Sequence, residues 1–215
     1  MREVLRSFYV TLKSCDKYLR FVMLTGISKF SKAGVFSALN NLEDISMDER
    51  YGDIAGYTQS ELENYFSGWI DNFSDRMKLT REEILQSLKD YYDGFSFDGV
   101  IRLYNPFSIL QCLAKGRLSN YWYVSDSPTF IVKYMKKNAI QTRKNIDISK
   151  CNRILQTYMK LNTLNLKVFL YQSGYLTIEK WIDDEITLDY PNEKVRKSIL
   201  RMYLNEIYAE KFRAE

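Results

Sequence analysis

Four consecutive apolar residues, Phe21-Val22-Met23-Leu24, run straight into Thr25-Gly26 and then into a short polar loop carrying Ser28, Lys29, Ser31 and Lys32. An apolar run of this kind, closed by a glycine, reads as a buried strand, and we assign it to Leu19–Thr25. In an α/β sheet the carboxyl end of a buried strand borders the ligand crevice. The loop after Gly26 is therefore the first place to look for chemistry. Such a strand also requires neighbours, because an unpaired edge leaves its backbone N–H and C=O groups without partners.

The rest of the chain is punctuated into short elements. Val4, Leu5, Phe8 and Leu12 recur at helical spacing over residues 2–14. Val35–Leu39 suits a short helix or turn, and Asn40–Ile45 a second short strand. Thr58 with Glu61, and Thr80 with Glu83, are capping-box pairs, each opening a helix. The first helix is expected to continue through Leu62, Phe66, Trp69, Ile70 and Phe73, and the second over Ile84–Tyr92 until Asp93-Gly94 stops it. Asp98-Gly99 is a two-residue turn signal, predicting a hairpin with arms Phe95–Phe97 and Val100–Tyr104. Asn105-Pro106 then starts a helix over Phe107–Leu113, and another helix is expected after Pro128. Towards the C-terminus, Leu164–Gln172 is helical and Gly174 is its stop signal. Tyr175–Ile182 alternates with Leu176, Ile178 and Ile182 on one face, and Ile186, Leu188 and Tyr190 continue that face after an acidic turn. A last helix from near Asn192 places Val195, Ile199, Met202 and Ile207 on one stripe. Helix, hairpin, helix is the skeleton of a winged-helix-like module.

Three word-like blocks stand in order: TGISKFS at Thr25–Ser31, LNNLEDI at Leu39–Ile45 and GYTQSEL at Gly56–Leu62. YYDGFSF at Tyr91–Phe97, YNPFS at Tyr104–Ser108, Tyr121-Trp122, Ser127-Pro128-Thr129, YQSGYLTI and a YPN at Tyr190–Asn192 follow. As a set these resemble the AAA-ATPase-like proteins of bacteria, from Arg20 to about Ser198. The resemblance implies a fold that is mostly α with small β elements. It comprises a remnant of a P-loop α/β core whose sensor strand is Leu19–Leu24 (residues 1–55), a helical lid with hairpin (56–125), and a C-terminal winged-helix-like domain (126–215). Thr25, Ser28 and Lys29 would form a sensor loop at the terminal phosphate of ATP, where positioning and electrostatics supply most of phosphoryl-transfer catalysis. The family uses ATP and Mg, and its full-length members pair the ATPase with a restriction-endonuclease-like nuclease domain.

These 215 residues contain no G-x-x-x-x-G-K-[ST], the turn whose amides cradle phosphates. Nor do they contain an apolar strand ending in Asp-Glu that could hold magnesium. In the resembled family both precede the TGISKFS block. The chain therefore reads as the part of an ATPase module after its phosphate-binding half, truncated and not catalytic by itself. No cofactor is expected for it alone. The expected role is a regulatory or interaction part of a nucleotide-dependent switch; an NTPase completed in trans by another chain is a separate alternative. Without flanking strands, the edge at Phe21–Leu24 should drive a homodimer or protein-partner contact, or be covered by the Met1–Cys15 helix.

Charge offers a different class of function. Between Lys133 and Arg153 the basic residues Lys133, Lys136, Lys137, Arg143, Lys144, Lys150 and Arg153 face a single acid, Asp147. A basic stretch attracts a phosphate backbone through counterion release, although charge runs more often form solvated faces. The acidic hairpin tip Asp183-Asp184-Glu185 would repel nucleic acid, so only weak DNA binding is expected. Asn40, Asn41 and Asp44 suit turn chemistry better than a crevice, Glu61 suits its cap, and Lys89, Asp90 and Asp93 suit a solvated helix end. The aromatics between Tyr91 and Tyr123 read as core rather than as a base-stacking platform. The chain has no histidine and three scattered cysteines, Cys15, Cys112 and Cys151, which argues against zinc sites and histidine-based triads. No apolar run exceeds about five residues, against the ~20 a membrane helix needs; a cytoplasmic location is expected.

Overall fold

The computed structural model describes residues 2–26, 42–121, 151–152, 166–183, 185–199 and 201. Helix α1 spans Arg2–Ser14, as its spacing predicts, and a single 3-10 turn follows at Asp16–Tyr18. Leu19–Thr25 is not a strand. The segment continues without regular structure, and no backbone hydrogen bond reaches Phe21–Leu24 among the described residues. Phe21 is 80% exposed and Met23 52%. A strand is defined by its ladder, and no described segment pairs with this one. Nor does α1 cover it, since Phe8 is itself 56% exposed. Residues 42–45 are likewise not a strand.

The helical unit begins after a 3-10 turn at Glu49–Tyr51. Helices α2 (Gln59–Tyr65), α3 (Ser67–Met77), α4 (Arg81–Tyr92) and α5 (Pro106–Lys115) follow. Both capping boxes are formed, Thr58 with Glu61 and Thr80 with Glu83. The single long helix expected from Thr58 is broken at Phe66, whose backbone (φ −115°, ψ 17°) leaves the helical region. The break turns Ile70 and Phe73 of α3 onto the same core as Leu62 of α2. In α5, Asn105 Oδ1 accepts the Ser108 amide, Pro106 occupies the first turn, and Gly116 closes the end in the left-handed region. These helices enclose Leu62, Ile70, Phe73, Ile84, Leu88, Tyr92, Tyr104, Ile109, Cys112, Leu113 and Tyr121.

A second core belongs to the C-terminal unit. It comprises β1 (Cys151–Asn152), α6 (Leu166–Gln172), β2 (Thr177–Ile182), β3 (Glu185–Asp189) and a helical segment over 193–199. The sheet is antiparallel with order β1-β3-β2. Gly174 takes φ +75°, which lets the amides of Tyr175 and Leu176 reach back to Leu170 O at 2.8 and 3.1 Å. That arrangement suits glycine, which alone adopts positive φ without steric cost. The alternation expected through Ile182 fails at one place. The register shifts between Ile178 and Lys180, so Trp181, not Ile182, faces the core beyond the bulge. Ile182 is exposed. Val168, Leu170, Leu176, Ile178, Ile186, Leu188, Val195 and Ile199 fill this core.

Candidate functional site

The sequence candidates separate under the structure. Thr25 is exposed in the unpaired segment. Ser28, Lys29, Asn40 and Asn41 lie outside the described residues, as do Lys133, Lys136, Lys137, Arg143, Lys144, Lys150 and Arg153, so no sensor loop or basic patch is assembled among the described ones. Asp44 is exposed and accepts the Ser46 amide at 3.1 Å, a turn role. Glu61 accepts the Thr58 amide at 2.9 Å, and that amide leads the groups that hold its carboxyl below the ordinary range. Tyr92, Tyr104 and Tyr121 are core residues as expected, whereas Phe107 is exposed.

The residues that the fold does bring together are others. The stretch expected to be a tight hairpin around Asp98-Gly99 is a wider loop, closed only by the Phe95–Leu103 bridge. Asp98 organises it. Its Oδ1 accepts from the Val100 amide at 2.8 Å, the Ile101 amide at 2.9 Å and the Ser96 hydroxyl at 3.1 Å. A carboxylate taking two successive amides replaces the ladder a two-residue turn would have made. Arg102, at the end of the loop, donates Nη1 to Ile178 O and Nη2 to Glu179 O, each at 2.7 Å. Those are the carbonyls at the β2 bulge, so the guanidinium fork holds the irregular backbone. Ser96 N donates to Thr177 Oγ1 at 2.6 Å, and that hydroxyl donates to Ser96 O at 3.2 Å, with both residues buried.

The other side of the same joint is made by Tyr190-Pro191-Asn192. Asn192 Nδ2 donates to Asp93 O at 2.9 Å, while its Oδ1 accepts the Val195 amide at 3.0 Å and caps the helical segment after it. Gly94, at φ +100°, lies so close to Pro191 that an added Cβ would sit 1.8 Å from its carbonyl oxygen. Asn120 Nδ2 donates to Ser198 Oγ, and Lys194 Nζ lies 3.6 Å from the centre of the Tyr91 ring. A small cleft lined by Tyr91, Asn105, Asn120, Asn192 and Lys194 marks the seam.

Asp93 is the one charged group sealed in this joint whose chemistry is unbalanced. It was expected on a solvated helix end, yet it is 7% exposed. Its Oδ1 has no hydrogen-bond partner. Burial pushes its carboxyl above the ordinary range, against the Gly94 amide and the more distant charges of Lys89 and Arg102. Nearby Tyr92 exchanges two hydrogen bonds with Ser119, donating to its carbonyl at 2.7 Å and accepting its amide at 3.0 Å. Burial raises Cys112 to about 11, so its thiol stays protonated at neutral pH. Among the described residues no three His, Cys, Asp or Glu side chains are grouped to hold a metal. Among the described residues the joint ties the two cores together through these hydrogen bonds. Local sequence gave no sign of it. Asp93-Gly94 and Tyr190-Pro191-Asn192 are about a hundred residues apart, and each reads alone as a turn.

The family described as Predicted AAA-ATPase (AAA-ATPase_like) matches residues 1–36, the stretch containing α1, the unpaired apolar run and the TGISKFS block. The chain is 32% identical over 203 residues to an uncharacterised protein from the vnfD 5′ region of Azotobacter chroococcum mcd 1, across 93% of this chain and 37% of that protein. It thus spans well under half the length of that relative. No solved structure gives a significant match. Among the described residues no helix is long and apolar enough to cross a membrane.

Proposed function

We propose that this chain is the interaction part of an AAA-ATPase-like, nucleotide-dependent switch: an N-terminal segment that engages a partner, joined to a lid and a winged-helix-like module that move together. The observation that carries the reading is the contrast between Phe21–Leu24 and the joint. The first lies inside the family match, is apolar, and has no backbone hydrogen-bond partner among the described residues. The second clamps the helical unit to the C-terminal unit through Asn192, Arg102, Thr177 and the close Gly94–Pro191 approach. A segment that pairs when offered an edge, attached to a body that transmits force, is what a switch requires. In this reading Thr25, Ser28 and Lys29 respond to a nucleotide bound outside these 215 residues, which carry no glycine-rich turn. The expected result is no phosphate release from ATP and Mg by the pure chain. Steady release that is lost in Lys29→Ala would overturn the proposal.

A nucleic-acid-binding module is the second reading, favoured by the sheet order β1-β3-β2 with α6 inserted between β1 and β2, which parallels a winged helix. Binding would then be electrostatic, weakening with salt, and charge reversal at Lys136, Lys137 and Lys144 would flatten that dependence. Sequence-specific binding that survives high salt would make this the primary function.

A further inference from the structure

We propose that the N-terminal arm, residues 2–24, docks on the helical unit of a second copy of this chain, each copy lending its arm to the other. The proposal rests on the reading of this chain as an interaction part and names its partner. No arm residue whose burial is described is buried, and Val4, Phe8, Tyr18, Phe21 and Met23 all stand in solvent. A run of exposed apolar side chains of that extent marks a contact site. Charge identifies the occupant. Residues 1–26 hold five basic and two acidic side chains, whereas residues 42–121 hold eight basic and fourteen acidic. The arm and the helical unit are therefore of opposite sign, while arm against arm would set like charges together. The helical unit also offers an apolar counterpart. Tyr65 and Trp69 are exposed at the α2–α3 break, Trp69 at 56%, and α3 also carries the exposed Asp75, while Asp71 is paired with Arg81. Exposed tryptophan and tyrosine are the residue types that anchor interfaces.

Sedimentation velocity of the full chain tests this. At tens of micromolar and low salt we expect a species of about twice 25.5 kDa, shifting towards monomer on dilution and as salt rises. Phe21→Ser with Met23→Ser in the arm, or Trp69→Ala with Asp75→Lys on the helical unit, should each weaken the dimer about tenfold or more. All four side chains are exposed, so circular dichroism melts should be unchanged. Mixing the two double variants should restore a dimer through the one intact arm and the one intact receiving face. A monomeric wild-type chain would overturn the proposal. So would a dimer insensitive to Trp69→Ala with Asp75→Lys, which would mean that the arms pair with each other, or a mixture that stays monomeric. Phosphate release is read separately: its presence breaks the switch reading while leaving arm exchange standing, and a silent, monomeric chain breaks arm exchange alone.

Discussion

Phe21–Leu24 and the hairpin Thr177–Asp189 both offer apolar side chains for a strand, and they differ in what pairs with them. In the hairpin, β3 pairs with β2 on one edge and β1 on the other, α6 lies in the same unit, and Ile178 and Ile186 are fully buried. In the arm the same kind of residues meet water. Apolar sequence supplies the tendency to leave water, and only a neighbouring ladder turns that tendency into a strand. The hairpin carries its own neighbours within a few tens of residues. The arm has none among the described residues.

Stability should follow that division. The largest loss is expected at the joint, from Gly94→Val. Positive φ and a Cβ driven onto Pro191 O should together cost roughly 3 kcal/mol or more, read as a drop in the urea midpoint. Next, Ile178→Ala in the hairpin should cost about 2–5 kcal/mol, against a change within about 0.5 kcal/mol for Met23→Ala in the arm. Equal effects at these two positions would erase the comparison. Gly174→Val, which puts a side chain at φ +75°, should cost roughly 1–2 kcal/mol, and an unchanged melting temperature would contradict the helix stop.

What could be read from the chain itself follows the same line. Both capping boxes, the Asn105-Pro106 start and the Gly174 stop are made by hydrogen bonds that span six residues or fewer, so a local pattern specifies them. The break at Phe66, the bulge at Ile178–Lys180 and the open loop around Asp98 depend on partners far along the chain. Arg102 fixes the bulge across 76 residues, and no periodicity announces that. The strand expected at Leu19–Thr25 does not form, for the converse reason. The pattern was right for a strand, but its partners are not among the described residues. Of the site, Thr25 could be located and is exposed, while the joint at Asp93 was legible only as two separate turns.

The smallest effect expected concerns Asp93 and sharpens the account of the joint. Its carboxyl titrates higher folded than unfolded, mainly through burial. The folded state thus binds the proton more tightly, and the charged form opposes folding. Stability from this group is greatest at low pH and declines as pH rises through the interval between the unfolded and folded values. Asp93→Asn should remove that decline, leaving the variant as stable as wild type or more so at pH 7. Urea titrations of both proteins from pH 3 to 7 check this by difference. A variant that loses stability as pH rises just as wild type does would show that Asp93 is solvated.

The most direct test of the account is hydrogen exchange resolved by residue, at low and at high protein concentration. Amides of Tyr92, Leu103, Leu176, Ile186 and Leu188 should be protected at both, because their cores close within one chain. Amides of Phe21–Leu24 should exchange freely when dilute and gain protection when concentrated, as the arm finds its partner. Protection of Phe21–Leu24 at every concentration would mean that this run is already part of a fold within a single chain, and would contradict the account.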